Sequence, residues 1–155
     1  MPHIVSLVYK PAIVEQKPAD HFARVPLEQA MLVVGKGIAG DAKGRNEDRQ
    51  LNLMLAELVA DLRAGGFQTA PGELGEQIVL AGLEPGSLIA GARLRLGDSA
   101  IVEIDKPRTG CDRFEHIQGR PKETVNGKLG FMARVVAGGE IAVGDPVRLE
   151  SPAKV

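Results

Sequence analysis

The chain has 155 residues, with 19 Lys+Arg against 20 Asp+Glu and a single cysteine. That length suits one domain and is long enough to bury a core without covalent staples. One cysteine excludes an internal disulfide framework and any multi-cysteine zinc or iron–sulfur site, and a formal net charge of −1 argues against binding nucleic acid by bulk electrostatics.

The 19 glycines and 10 prolines are too many for a helical bundle and fit short strands joined by turns. No apolar run approaches the roughly 18 residues of a membrane span. The opening Met1-Pro2-His3-Ile4 lacks the charged-then-apolar pattern of a secretory signal. The expectation is a cytoplasmic protein without membrane or nucleic-acid partners, its lone thiol kept reduced.

In chain order, Ile4-Val5-Ser6-Leu7-Val8-Tyr9 is a β-branched strand that Lys10-Pro11 ends. Residues 12–26 read as irregular or short strand pieces. The stretch 27–34 is ambiguous between helix and strand, because periodicity does not settle short apolar runs. A glycine-and-charge loop spans 35–48. After Gln50-Leu51-Asn52-Leu53, residues Met54, Leu55, Leu58, Val59 and Leu62 share one helical face, and Gly65-Gly66 ends that helix. Strands follow at 77–81, at 92–96 and, beyond the turn Gly97-Asp98-Ser99, at 100–105. A short helix over 111–118, a loop over 121–130 and late strands at 131–136 and 146–149 complete the reading. The fold class is mainly β with one or two short helices, a closed or nearly closed β-barrel in one domain with its core about 4–149.

Cys111 sits in Lys106-Pro107-Arg108-Thr109-Gly110-Cys111-Asp112-Arg113. Cations and a helix N-terminus lower a thiol's pKa and make it a nucleophile or a metal ligand. The alternative is a structural cysteine packed as a small hydrophobe, although its neighbours here are polar. The glycines of 35–44 could cradle an anion through backbone N–H groups or form an ordinary flexible turn. They match neither a Walker A loop nor a dinucleotide fingerprint. His3, His21 and His116 have no metal-ligand spacing. The pair Glu73 and Glu76 could do acid–base work but reads more simply as solvated.

Taken in order, several pieces are far more specific than any one of them. They are Gly37-Ile38-Ala39-Gly40-Asp41, Arg49-Gln50-Leu51-Asn52-Leu53, Pro71-Gly72-Glu73-Leu74-Gly75-Glu76-Gln77-Ile78 and Gly86-Ser87-Leu88-Ile89-Ala90-Gly91-Ala92. Pro107-Arg108-Thr109-Gly110-Cys111, Gly130-Phe131-Met132-Ala133-Arg134-Val135 and Gly144-Asp145-Pro146-Val147 follow. This combination resembles the MOSC domain, found at the C-terminus of molybdenum cofactor sulfurases and in small stand-alone bacterial proteins. The resemblance runs from about Ile4 to Leu149.

The resemblance implies a β-rich, barrel-like fold and one reactive cysteine, carried over to Cys111, that holds a persulfide or ligates molybdenum. It implies the molybdenum cofactor, a molybdopterin, as the bound group. The residues at matching positions are Gly40, Asp41, Lys43, Arg49, Glu76, Gln77, Arg108 and Arg134. Of these, Arg49, Arg108 and Arg134 are the cations for a phosphate tail. Three positions depart from the family pattern: Lys43 where a His is common, Gly110 where a Pro is common, and Gln77 where an Asn is common. No pyridoxal-phosphate site is recognised, so sulfur would come from a separate cysteine desulfurase or other donor. The acceptor would be the cofactor or a molybdoenzyme. The first functional reading is a sulfur-carrier or sulfur-transfer domain. The alternatives are a molybdenum-dependent reductase of N-hydroxylated compounds and a non-enzymatic binding module for an anionic small molecule.

Overall fold

The structure, a computed structural model, describes residues 1–9, 25–40, 51–70, 74–108, 118–119 and 129–150. The β-branched run at the N-terminus forms β1 (His3–Tyr9). The ambiguous stretch 27–34 resolves into strand: β2 (Val25–Leu27) is followed by β3 (Gln29–Val33). Within β3, Ala30 and Leu32 are buried while Gln29 and Met31 are exposed, the period of two that a strand requires. Gly35 turns the chain at φ +81°, and β4 (Gly37–Ile38) pairs back on β3. The glycine run therefore begins as a hairpin rather than as loop throughout.

Next come β5 (Leu51–Leu55) and α1 (Ala56–Ala64). The sequence reading placed Met54 and Leu55 on the helix, whereas both are buried strand residues. The cause is that every residue of β5 is buried. A strand covered on both faces reads as a continuous apolar run that merges with the helical spacing behind it. Gly65 and Gly66 end α1 as expected. The Gly65 N–H bonds the Asp61 and Leu62 carbonyls, and Gly66 adopts φ +91°.

The remaining strands are β6 (Ile78–Ala81), β7 (Arg93–Leu96), β8 (Ala100–Pro107), β9 (Phe131–Ala137), β10 (Gly139–Ala142) and β11 (Val147–Glu150). A 3-10 turn, Pro85–Ser87, precedes β7. Strand β10 was not anticipated, because Gly138-Gly139 reads as a turn. A Cβ on Gly138 would lie 2.8 Å from the Leu32 carbonyl oxygen, so glycine is what lets this segment pass close to β3.

One sheet has the order β11-β7-β8-β9-β5-β6-β1-β2, and a second has the order β10-β3-β4. Pairing is antiparallel except between β5 and β6, which α1 connects. A parallel neighbour needs such a crossover. No ladder joins β11 to β1 among the described residues. Instead, one bridge links His3 and Pro146, with backbone bonds from Ile4 N–H to the Asp145 carbonyl and from Val147 N–H to the Pro2 carbonyl. The described residues are thus mainly β with one α-helix, and the strand pairing among them does not show a closed barrel. The expected helix at 111–118 lies outside the described residues, apart from Gln118.

The sheet carries two apolar clusters. The larger includes Ile4, Leu7, Leu53, Leu55, Ile78, Leu80, Leu94, Val102, Ile104 and Val135. The smaller comprises Met54, Leu62, Leu74, Val79 and Leu129, with α1 residues packed on it. Alternation along β5 places Asn52 on the same face as Met54, toward this smaller cluster. Among the described residues, no helix is long and apolar enough to cross a membrane.

Candidate functional site

A polar side chain in an apolar interior must find partners, since an unpaired buried polar group costs several kcal/mol at the upper end. Among the described residues, the buried polar side chains are Asn52, Glu76, Gln77 and Arg108. All four are bound to, or belong to, the stretch 74–77 that leads into β6.

Two bonds interlock Gln77 with Asn52, and a third ties Asn52 to Gly75. The Gln77 N–H donates to the Asn52 carbonyl (2.9 Å), the Asn52 N–H donates to Gln77 Oε1 (2.6 Å), and Asn52 Nδ2 donates to the Gly75 carbonyl (3.2 Å). The parallel ladder of β5 and β6 begins one residue later, at Leu53 and Ile78. The Gln77 amide thus extends that ladder by side chain.

Arg108 follows β8 directly and is only 5% exposed. Its N–H donates to the Gly130 carbonyl (2.9 Å), and its Nη1 donates to the Leu74 carbonyl (2.6 Å). Glu76 Oε1 accepts the Leu74 N–H at 3.2 Å. Leu74 is therefore held at its N–H by the buried Glu76 carboxyl group and at its carbonyl by the buried Arg108 guanidinium, the latter a charge-assisted bond of the stronger kind. Glu76 also lines a cleft of about 270 Å³ between α1 and the β1–β6 pair, whose wall includes Ser6, Val59, Arg63 and Thr69.

The residues nominated from sequence separate into three groups. Glu76, Gln77 and Arg108 are brought together. Arg134 is placed elsewhere: it lies on β9 opposite Glu103, three residues along from the Phe131 that pairs with Pro107. Its side chain is 56% exposed and bonds Glu103, which also accepts from Arg93 Nε at 2.9 Å. Chiefly the Arg134 hydrogen bond, then Arg93, holds the Glu103 carboxyl below the usual carboxylate range, against the opposing effect of burial. Gly40 is exposed, has φ +86° and passes the Tyr9 ring. Cys111, Asp41, Lys43 and Arg49 lie outside the described residues.

Asn52 was missed. The signal for it was a lone amide inside the run Leu51-Asn52-Leu53-Met54-Leu55, which a doubly covered strand makes a buried polar residue. The solvated reading of Glu76 is corrected by its burial. Among the described residues, no group of three or more His, Cys, Asp or Glu side chains could hold a metal ion. A larger, mostly apolar cleft of about 440 Å³ lies between residues 87–92 and β11 and contains none of the nominated residues.

Comparison with known proteins falls on the same stretch of chain. The family model of the MOSC domain matches residues 35–148, from the glycine hairpin into β11. Comparison with curated proteins finds no match. Solved structures share the fold. YiiM from Geobacillus stearothermophilus superposes with TM-score 0.74 at 22% identity, covering 97% of this chain and 76% of that one. YiiM from Escherichia coli does so with TM-score 0.71 at 20% identity, covering 99% and 72%. The YUAD protein from Bacillus subtilis gives TM-score 0.74 at 18% identity, covering 95% and 94%.

Proposed function

The chain belongs to the MOSC domain family, and on that premise we propose that it is a molybdenum-cofactor-linked sulfur carrier working through Cys111. The observation that carries this reading is the buried cluster Asn52–Glu76–Gln77–Arg108, built at the end of the strand that leads to the cysteine. Cys111 follows Arg108 by three residues. Chain geometry alone keeps their Cα atoms within about 11 Å.

The chemistry asked of the chain is modest. The Cys111 thiolate attacks the outer sulfur of a donor persulfide. The new S–S bond forms on Cys111, the donor's S–S bond breaks, and the donor leaves as a thiolate, with no net oxidation. Lys106, Arg108 and Arg113, close by in sequence, favour the thiolate that this attack needs. A thiolate of the acceptor molybdoenzyme then attacks that outer sulfur: its new S–S bond forms as the one on Cys111 breaks, and the Cys111 thiolate leaves. Delivery to the cofactor as sulfide would take two electrons from an external thiol reductant. The donor is a separate protein such as a cysteine desulfurase.

The donor set near the cluster suits a molybdopterin. It would comprise Gly40, Asp41, Lys43, Arg49 and the soft Cys111 thiol, whereas the buried Arg108 guanidinium and the Asn52 and Gln77 amides already bond the protein's own backbone. When bound, that group would supply a soft metal centre for which Cys111 is the chain's sulfur ligand.

The test incubates the protein with a desulfurase and cysteine and reads intact mass. The expected result is a gain of one sulfur atom in the wild type, lost on reduction and absent in Cys111→Ser. A wild-type protein that gains no sulfur while a control acceptor does would overturn the proposal.

A further inference from the structure

Strand β1 pairs with β6 through a bulge: Ile4 faces Leu80 and Ser6 faces Val79, which leaves Val5 as the extra residue. Val5 and Ser6 are neighbours that would point to opposite faces of a regular strand. Both nevertheless line the cleft of about 270 Å³ beside α1. The bulge thus puts two consecutive side chains on the cleft, one of them a hydroxyl. Among the described residues, that Ser6 hydroxyl has no protein hydrogen-bond partner. On the α1 side, Arg63 Nε donates to Thr69 Oγ1 at 2.9 Å. This bond holds the guanidinium in place, and its terminal nitrogens have no partner among the described residues. Glu76, only 3% exposed, lines the same cleft, and it forms no ion pair with Arg63. Val59 and Val79 supply apolar wall.

We infer that this cleft binds a small zwitterion of amino-acid size, with its carboxylate on the Arg63 guanidinium and its ammonium on the Glu76 carboxylate. A guanidinium already held at Nε presents its remaining N–H groups as a planar fork that matches a carboxylate. Glu76 Oε1 accepts the Leu74 N–H, but an ionised carboxylate has about four acceptor sites on its two oxygens. It therefore has capacity for an ammonium as well. A simple anion would meet the Glu76 charge, and a simple amine would meet Arg63. A ligand that carries both groups is the one that turns each repulsion into a pairing. The Ser6 hydroxyl serves as donor or acceptor to either group, and the valines cover a short aliphatic side chain. The volume sets the size, since it lies just under the roughly 300–1,000 Å³ of pockets for drug-sized molecules. This site is separate from the sulfur-carrier reading and does not depend on Cys111.

The experiment titrates the full chain with L-valine by ligand-detected NMR, beside two analogues that keep the aliphatic group. Isovalerate lacks the ammonium, and isobutylamine lacks the carboxylate. L-Valine should saturate the protein and bind about tenfold or more tightly than either analogue, since each loses one charge-assisted contact. In Arg63→Met, L-valine should weaken by about tenfold, whereas isobutylamine, which has no group for Arg63, should not weaken. Arg63 is exposed on α1, so this variant should keep the wild-type melting temperature. Absence of saturable L-valine binding would overturn the inference. So would isovalerate or isobutylamine binding as tightly as L-valine, or an Arg63→Met protein that binds L-valine like the wild type.

Discussion

Arg108 and Arg134 read alike in the sequence, as cations beside strands that could meet a phosphate, yet the fold uses them differently. Arg108 is 5% exposed and donates to backbone carbonyls near the smaller apolar cluster. The Arg134 side chain is 56% exposed and shares Glu103 with Arg93 on the outer side of β8 and β9. In the first region the arginine satisfies backbone acceptors shut away from water, where losing a partner is costly. In the second, solvent and salt already screen the charges, and such pairs contribute little. A residue's type announces a charge, but its surroundings decide whether that charge holds structure together.

The largest effect that would break this contrast lies at Gly130, whose carbonyl receives the Arg108 N–H. Gly130 has φ +79°, and an added Cβ would lie 2.0 Å from the Leu53 carbonyl oxygen. Gly130→Ala should therefore destabilise by about 3 kcal/mol or more in urea unfolding, through left-handed strain plus a backbone clash. Gly144→Ala is the control. It has φ +94° and open space around the Cβ position, so only the strain of about 1 kcal/mol applies. Equal losses at the two glycines would show that the close approach of β5 and β9 is not what matters.

A smaller effect separates the arginines directly. Arg108→Met leaves the Leu74 carbonyl without its buried donor and should cost about 2 kcal/mol, whereas Arg134→Met should cost under about 1 kcal/mol. Equal costs in urea unfolding would erase the distinction.

These differences also explain what could be read from the sequence and what could not. Arg108, Glu76 and Gln77 were legible as candidates from motif order. That Arg108 serves the Leu74 carbonyl was not, because its partner is 34 residues away and no local pattern encodes the pairing. Asn52 was legible in principle, as one amide among leucines. The rule that a buried amide needs partners applies only once β5 is known to be covered on both faces. The same double covering hid the boundary between β5 and α1, since Met54 and Leu55 extend the apolar spacing of the helix. Alternation over β7 was plain, because it has one wet face and so keeps a strict period of two.

The smallest effect concerns Glu103 and carries a sign. Its carboxyl is held below its usual range, first by Arg134 and then by Arg93. A depressed carboxylate contributes stability that is full above its unfolded pKa of about 4.3. The contribution is lost as pH falls through the lower folded value. The stability difference between wild type and Arg134→Ala should therefore be constant above about pH 5 and shrink toward zero in more acid solution. Added salt should shrink it too, because the Arg134 side chain is largely in water. Urea unfolding of wild type and Arg134→Ala across pH reads that slope. An Arg134 difference that survives in acid would mean that this arginine contributes by packing its stem on the sheet rather than by its charge.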